Sequence, residues 1–349
     1  MTMNDFWKKW RAELLRGAVI FVVVVAIGLT AVSFVGRLKA KGGNALAELA
    51  RMGGDFGGSF DDPGRSHGDA WSWHAPLTPG QTLSIRNLNG PVEVAAATGP
   101  EAVVTAEKSW RNSDSGSVTI QAIPSSSGVV ICAVWPGSTG SECTPGHEIN
   151  FNFKGKHDRV SDVAVKFTVQ VPKGVKVDVG SVAGDVDITG ATAAVSAQTV
   201  TGDVSVETSA GPVSLSTVTG DVHATVASLG QGNSEVKAVT GDVSVSIPDH
   251  ADLLVDAHTT AGDIDNDFSL PVSDQKYGPS HSMTGTLGKG GATLKLSTVT
   301  GDISLDKATA TTVRVVRVSG RAAVTTATPP PAAIAPALPP APKPPHHPR

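Results

Sequence analysis

Aspartate is the residue whose placement in this chain could most readily do chemistry. Val-Thr-Gly-Asp occurs four times, at Val200 to Asp203, Val218 to Asp221, Val239 to Asp242 and Val299 to Asp302. Looser copies end at Asp185 and Asp263. Six carboxylates thus follow six glycines: Gly184 with Asp185, Gly202 with Asp203, Gly220 with Asp221, Gly241 with Asp242, Gly262 with Asp263, and Gly301 with Asp302. If the turns stack in register, the carboxylates form a column about 4.8 Å apart and repel one another unless a cation or amide donors offset them. Three uses are open: capping the turns, holding calcium through oxygen ligands, or cleaving polysaccharide by paired carboxylates. Turn capping is preferred, because Asp can bond its own turn amides and the Gly-Gly-x-Gly-x-Asp of calcium-binding β-rolls is absent. For cleavage the best local cluster is Asp263, Asp265 and Asp267, with no basic or aromatic sugar platform beside it.

The remaining reactive residues are sparse. Cys132 and Cys143 are the only cysteines and flank Trp135-Pro136-Gly137-Ser138-Thr139-Gly140, a segment suited to a turn. A disulfide is expected in an oxidising compartment, worth about 3 kcal/mol through loop closure; two free structural thiols and a reactive thiol are the alternatives. Ten histidines are scattered without ligand spacing. No Gly-rich phosphate loop and no Ser or Cys nucleophile motif is present. Neither a catalytic residue, a metal nor a cofactor is expected. A net charge of -4 also argues against a nucleic-acid partner, which needs a concentrated basic surface.

Strands must position the aspartates. After Gly202 and Asp203 come Val204, Ser205, Val206 and Glu207; after Gly301 and Asp302 come Ile303, Ser304, Leu305 and Asp306. This period of two puts the aliphatic residues on one face and the polar ones on the other. The glycines step by 18 residues twice, then by 21 twice, and Gly211 halves the step from Gly202 to Gly220. Each half is one short strand and one tight turn, with no helix between units. The spacing predicts a parallel β-helix-like solenoid over about 170–325 with the aliphatic alternates inside. Right-handed winding is the default for parallel crossovers, and an 18-residue coil is also compatible with a left-handed hexapeptide helix. Aromatic content of 5% suits a narrow aliphatic core of this kind. Upstream, Thr82 to Ile85 and Pro91 to Val94 would form a first rung around Asn89 and Gly90. Strands are expected at Val103 to Trp110, Val118 to Ala122, Val129 to Val134 and Asp162 to Pro172, and an excursion at 136–160.

The ends of the chain differ from the middle. Residues 1–16 are expected in the cytoplasm. Gly17 to Val35 is 19 residues without a charge, about 28 Å as a helix and close to the hydrocarbon thickness of a bilayer. Basic residues flank it on both sides, and Trp7 and Trp10 suit the headgroup layer. A single transmembrane helix at 17–35 with the bulk of the chain exported is expected; a signal peptide cut after Ser33 is the rival. Residues 36–70 would be a juxtamembrane helix and a Gly-rich linker, 71–326 the solenoid domain, and 327–349 a Pro-rich tail that cannot bury a core. The tail serves as a spacer or a peptide ligand, spacer preferred.

Several stretches carry a family likeness: Pro79 to Ile85 followed by Asn89 to Val92, the strand Val130 to Pro136, the strand end Val171 to Val175, the Gly-Asp-Val repeats, and Gly285 to Leu296 running into Thr300 to Ile303. Over about residues 72–325 the chain resembles a bacterial β-strand-repeat family known as the "putative adhesin" family, related to toast-rack domains. It departs from that pattern in its Pro-rich tail and in Gly320-Arg321 where Gly-Asp is expected. The resemblance implies an all-β fold and export or membrane anchoring, and it supplies no established catalytic residues to carry over. The expectation is a non-catalytic protein of the cell envelope, held in the bacterial inner membrane through residues 17–35. Its bulk would be periplasmic or extracellular, binding an envelope protein or polysaccharide. A carbohydrate-active β-helix enzyme and an accessory sensor of envelope stress are the alternatives.

Overall fold

Alternation becomes strand along nearly the whole of the repeat. In Val204–Thr208 the residues Val204, Val206 and Thr208 are buried and Ser205 and Glu207 are exposed. The computed structural model describes residues 59–138, 143, 161–208, 210–230, 232–274 and 279–308. The transmembrane segment expected at 17–35, Gly320-Arg321 and the Pro-rich tail lie outside them. Among the described residues no helix is long and apolar enough to cross a membrane.

In chain order, β1 (Ser66–Pro76) precedes β2 (Thr82–Arg86) and β3 (Val92–Ala96), then β4 (Glu101–Trp110) and a 3-10 turn at Ser115–Ser117. β5 (Thr119–Ser125), β6 (Gly128–Val134) and β7 (Ala164–Val171) follow. The repeat supplies β8 (Lys176–Gly180), β9 (Val186–Ala191), β10 (Val195–Gln198), β11 (Val204–Thr208), β12 (Val213–Ser216), β13 (Val222–Val226), β14 (Ser234–Lys237) and β15 (Val243–Ile247). The described chain closes with β16 (Leu253–Ala261), β17 (Ile264–Asn266), β18 (Val272–Asp274), β19 (His281–Leu287), β20 (Ala292–Thr300) and β21 (Ile303–Lys307).

These strands form two long sheets. One runs β1-β4-β7-β3-β9-β11-β13-β15-β21-β17 and the other β18-β19-β16-β20-β14-β12-β10-β8-β2-β6-β5. Each rung gives one strand to each sheet, so β2 and β3, β8 and β9, β10 and β11, β12 and β13, and β14 and β15 stack as coils with parallel neighbours. One aliphatic core, from Leu83 and Val92 through Val204, Leu215 and Val245 to Leu296 and Leu305, fills the space between the inward faces. The structure is therefore a two-sheeted, mostly parallel solenoid.

Two features depart from the sequence-based expectation, and a third lies beyond it. The first strand begins at Ser66, inside the stretch assigned to linker, because β1 pairs with β4 from Ser66↔Trp110 onward. The stack is not parallel throughout: β1 with β4, β4 with β7, β5 with β6, and β19 with both β16 and β18 are antiparallel. The last rungs are also out of chain order. β20 and β21 pair with β14 and β15 and separate them from β16 and β17. The chain runs out through β16 to β19 and returns between rungs already made, which identical turn signals cannot reveal.

Candidate functional site: the aspartate column and the outer faces

The glycine of each repeat turn carries the conformation the turn needs. Gly220 has φ +137°, and a Cβ there would collide with the carbonyl oxygen of Gly202 in the rung before. That close approach sets the next residue, Asp, directly over its counterpart. The N–H of Asp203 donates to Oδ1 of Asp185 at 2.9 Å, that of Asp221 to Asp203 at 2.7 Å, and that of Asp242 to Asp221 at 2.8 Å. Asp302 then donates to Asp242 and Asp263 to Asp302, each at 2.8 Å. The column thus reads 185, 203, 221, 242, 302, 263. The carboxylates of Asp185, Asp203, Asp221, Asp242 and Asp302 accept from the neighbouring rung, not from their own turn amides. Amide donors, one of the two expected remedies, offset the repulsion of stacked charges. Among the described residues no group of three or more His, Cys, Asp or Glu is placed to hold a metal ion.

A second column escaped sequence reading. Thr199 and Thr217, four residues before their aspartates, are buried and donate through Oγ1 to the carbonyls of Gly184 (3.2 Å) and Gly202 (3.0 Å). Thr298 and Thr259 do the same to Gly241 and Gly301, each at 2.9 Å. The equivalent place in other rungs holds Ala238, Ser181 and Asn87. Asn87 Nδ2 donates to the Gly90 carbonyl at 2.9 Å, and the buried Ser181 hydroxyl finds no partner among the described residues. The recurring Thr four residues before Asp was the available signal.

The cluster best placed by sequence for cleavage is divided among separate tasks. Asp263 belongs to the column, and its Oδ1 lies 3.8 Å from His281 Nε2. Asp265 sits on β17 in register with Ser304. Asp267 Oδ2 accepts from the Lys307 N–H at 3.1 Å, tying the end of β21 to the turn after β17. Beside the column's first members, Asp187 has its pKa pushed above the ordinary carboxylate value, by burial first and then by Asp185, Glu93 and Asp203.

Cys132 and Cys143 form a disulfide, with Cα atoms 5.5 Å apart. Cys132 pairs with Arg86 in the register of β6 with β2, so both project from the outer side of their sheet. Yet Arg86 is 1% exposed and Cys132 and Val130 are shut off from water. Arg86 Nη2 meets Asp178 Oδ2 at 2.5 Å, and Nη1 donates to the carbonyls of Ile85 and Asp178 at 3.0 Å. Ser84 adds an Oγ donor to the same carboxylate oxygen at 3.1 Å. The unbroken apolar run Val129 to Val134 was the sign of a strand buried on both faces.

No functionally curated protein is detectably similar in sequence. A solved structure titled a putative cell adhesion protein, from Clostridium sporogenes, is 8% identical with a TM-score of 0.36; the match covers 68% of this chain and 100% of that one. A putative adhesin from Bacteroides fragilis is 11% identical with a TM-score of 0.26, over 68% of this chain and 97% of that one. The family model described as Toastrack DUF4097 matches residues 75–306, from the end of β1 to β21. The chain belongs to the Toastrack DUF4097 family.

Proposed function

We propose that this protein is a non-catalytic binding protein of the bacterial cell envelope, tethered in the inner membrane through residues 17–35 and exposing residues 42–349 outside the cytoplasm. The observation that carries this reading is the bonding of the aspartate column. The carboxylates that recur most regularly are engaged by backbone amides of the adjacent rung, so the repeat spends its reactive groups on its own architecture. What remains for a partner is the outward side of the sheets, rich in Ser and Thr. The uncharged run at 17–35 supports the tether, and the disulfide suits an oxidising compartment. The Pro-rich segment 327–349 is a spacer.

Full-length protein should be retained by purified envelope material without cutting it, and protease added to spheroplasts should trim the chain to an anchor-containing fragment. Cleavage of envelope polysaccharide abolished by Asp263→Ala or Asp265→Ala would overturn the non-catalytic reading. Full protection from protease would overturn the topology.

A further inference from the structure

The outer side of the sheet containing β8, β10 and β12 is cut by a trench of about 240 Å³. Strand register lays it out in two rows. Thr82 and Lys176 are paired in one row, which continues through Ala194 and Pro212 to Asn233. Asp178, Ser196 and Ser214 are paired in the other. Small residues at Ala194, Ser196 and Ser214 form the floor, and Lys176 and Asn233 stand at its sides. Asp178 is fixed on the β2 side by Arg86 and Ser84, so this carboxylate is pre-oriented before any ligand arrives.

We infer that the trench is a binding site for an uncharged, hydroxyl-rich glycan strand. The inference rests on the envelope-binding reading and names its ligand class and location. Three properties of the lining choose this ligand. Asp178 is already neutralised by Arg86, so the lining presents one accessible charge, Lys176, which disfavours polycations and is too little to hold a polyanion. Hydroxyls and an amide both donate and accept, as sugar hydroxyls do. Finally, the face of a sheet has its N–H and C=O groups committed to the ladder, so an extended peptide, which binds by strand addition at an edge, gains no backbone bonds here. The trench lies below the ~300–1,000 Å³ of drug-sized pockets, and its apolar surface includes no aromatic ring, only small aliphatic groups such as Ala194 and Pro212, so each site is weak and several sugar units along the strand are needed.

The test uses the full chain in detergent against N-acetylglucosamine tetramer, maltotetraose and polyglutamate, with Ser214→Trp to fill the trench from an exposed position and Ser205→Trp as the control on the opposite sheet. Melting curves establish that both variants fold. Binding of a neutral oligosaccharide, weakened at least tenfold by Ser214→Trp and unchanged by Ser205→Trp, is the expected result. No binding of either neutral sugar, unaltered binding by Ser214→Trp, or preference for polyglutamate overturns the inference. Retention on envelope material, measured in parallel, separates the two claims: retention that survives Ser214→Trp leaves the envelope-binding reading standing and removes this site. Retention lost on protease treatment of the envelope material but not on periodate oxidation of its sugars makes the ligand a protein and also overturns it.

Discussion

Thr217 shows how much of a rung rests on one hydroxyl. It is fully buried and satisfies the carbonyl of Gly202, so Thr217→Ala leaves that acceptor without this bond and should cost about 1–2 kcal/mol. Ser181→Ala removes a hydroxyl that has no partner among the described residues and should cost less than half as much. Ala238→Thr supplies the donor missing opposite Gly220 and should raise stability by about 0.5–1 kcal/mol; urea unfolding of the three variants checks the ranking. Asp187 bears on pH. Its pKa is raised in the folded protein by burial and by neighbouring acids, so the folded state holds that proton more tightly than the unfolded chain does. Stability is therefore lost as pH rises from the ordinary carboxylate value through the raised one, and the penalty is complete above it. Asp187→Asn should melt higher than wild type at pH 7, with the gain vanishing below about pH 4. At this scale the sequence showed which residues recur, because turn chemistry is local. It did not show that each Asp bonds the neighbouring rung, because the donor lies 18 to 60 residues away.

Strands were legible wherever one face is buried and the other wet. Val245 is fully buried and Ser244 projects outward, in register with His223 and Ser304. Val245→Asp should cost several kcal/mol by burying an unpaired charge and unfold the neighbouring rungs, whereas Ser244→Asp should stay within about 0.5 kcal/mol. Equal sensitivity would mean the strand is shifted by one residue. Gly220→Val should destabilise as strongly as the core change, since a β-branched residue resists that φ and its Cβ meets the Gly202 carbonyl; thermal melts compare all three. Two element-level facts were beyond the sequence. The insertion of β20 and β21 between earlier rungs leaves no mark, because Thr300-Gly301-Asp302 matches the other turns and fits any position in the stack. Arg86 and Asp178 occupy outward positions of alternating strands, and only tertiary structure buries them.

For the molecule as a whole, the repeat makes a ladder whose rungs hold one another through core, glycine contact, threonine hydroxyl and aspartate amide bond. Stability in such a stack is shared between neighbours, so a change in one aspartate is read in the melting of the full chain. Asp221 accepts the Asp242 N–H and stands mid-column, which makes it the place to decide whether the carboxylates are architecture or a cation site. The decisive measurement is the Tm of wild type, Asp221→Asn and Asp221→Ala, each with excess calcium and with chelator. If the column is architectural, the asparagine oxygen still accepts the amide and the Asn variant melts at or above wild type, having lost one like charge. The Ala variant then melts lower, by an amount corresponding to about 1–2 kcal/mol, and calcium changes none of the three. A wild-type Tm that climbs with calcium and falls with chelator, with Asn and Ala equally unresponsive, would contradict the account.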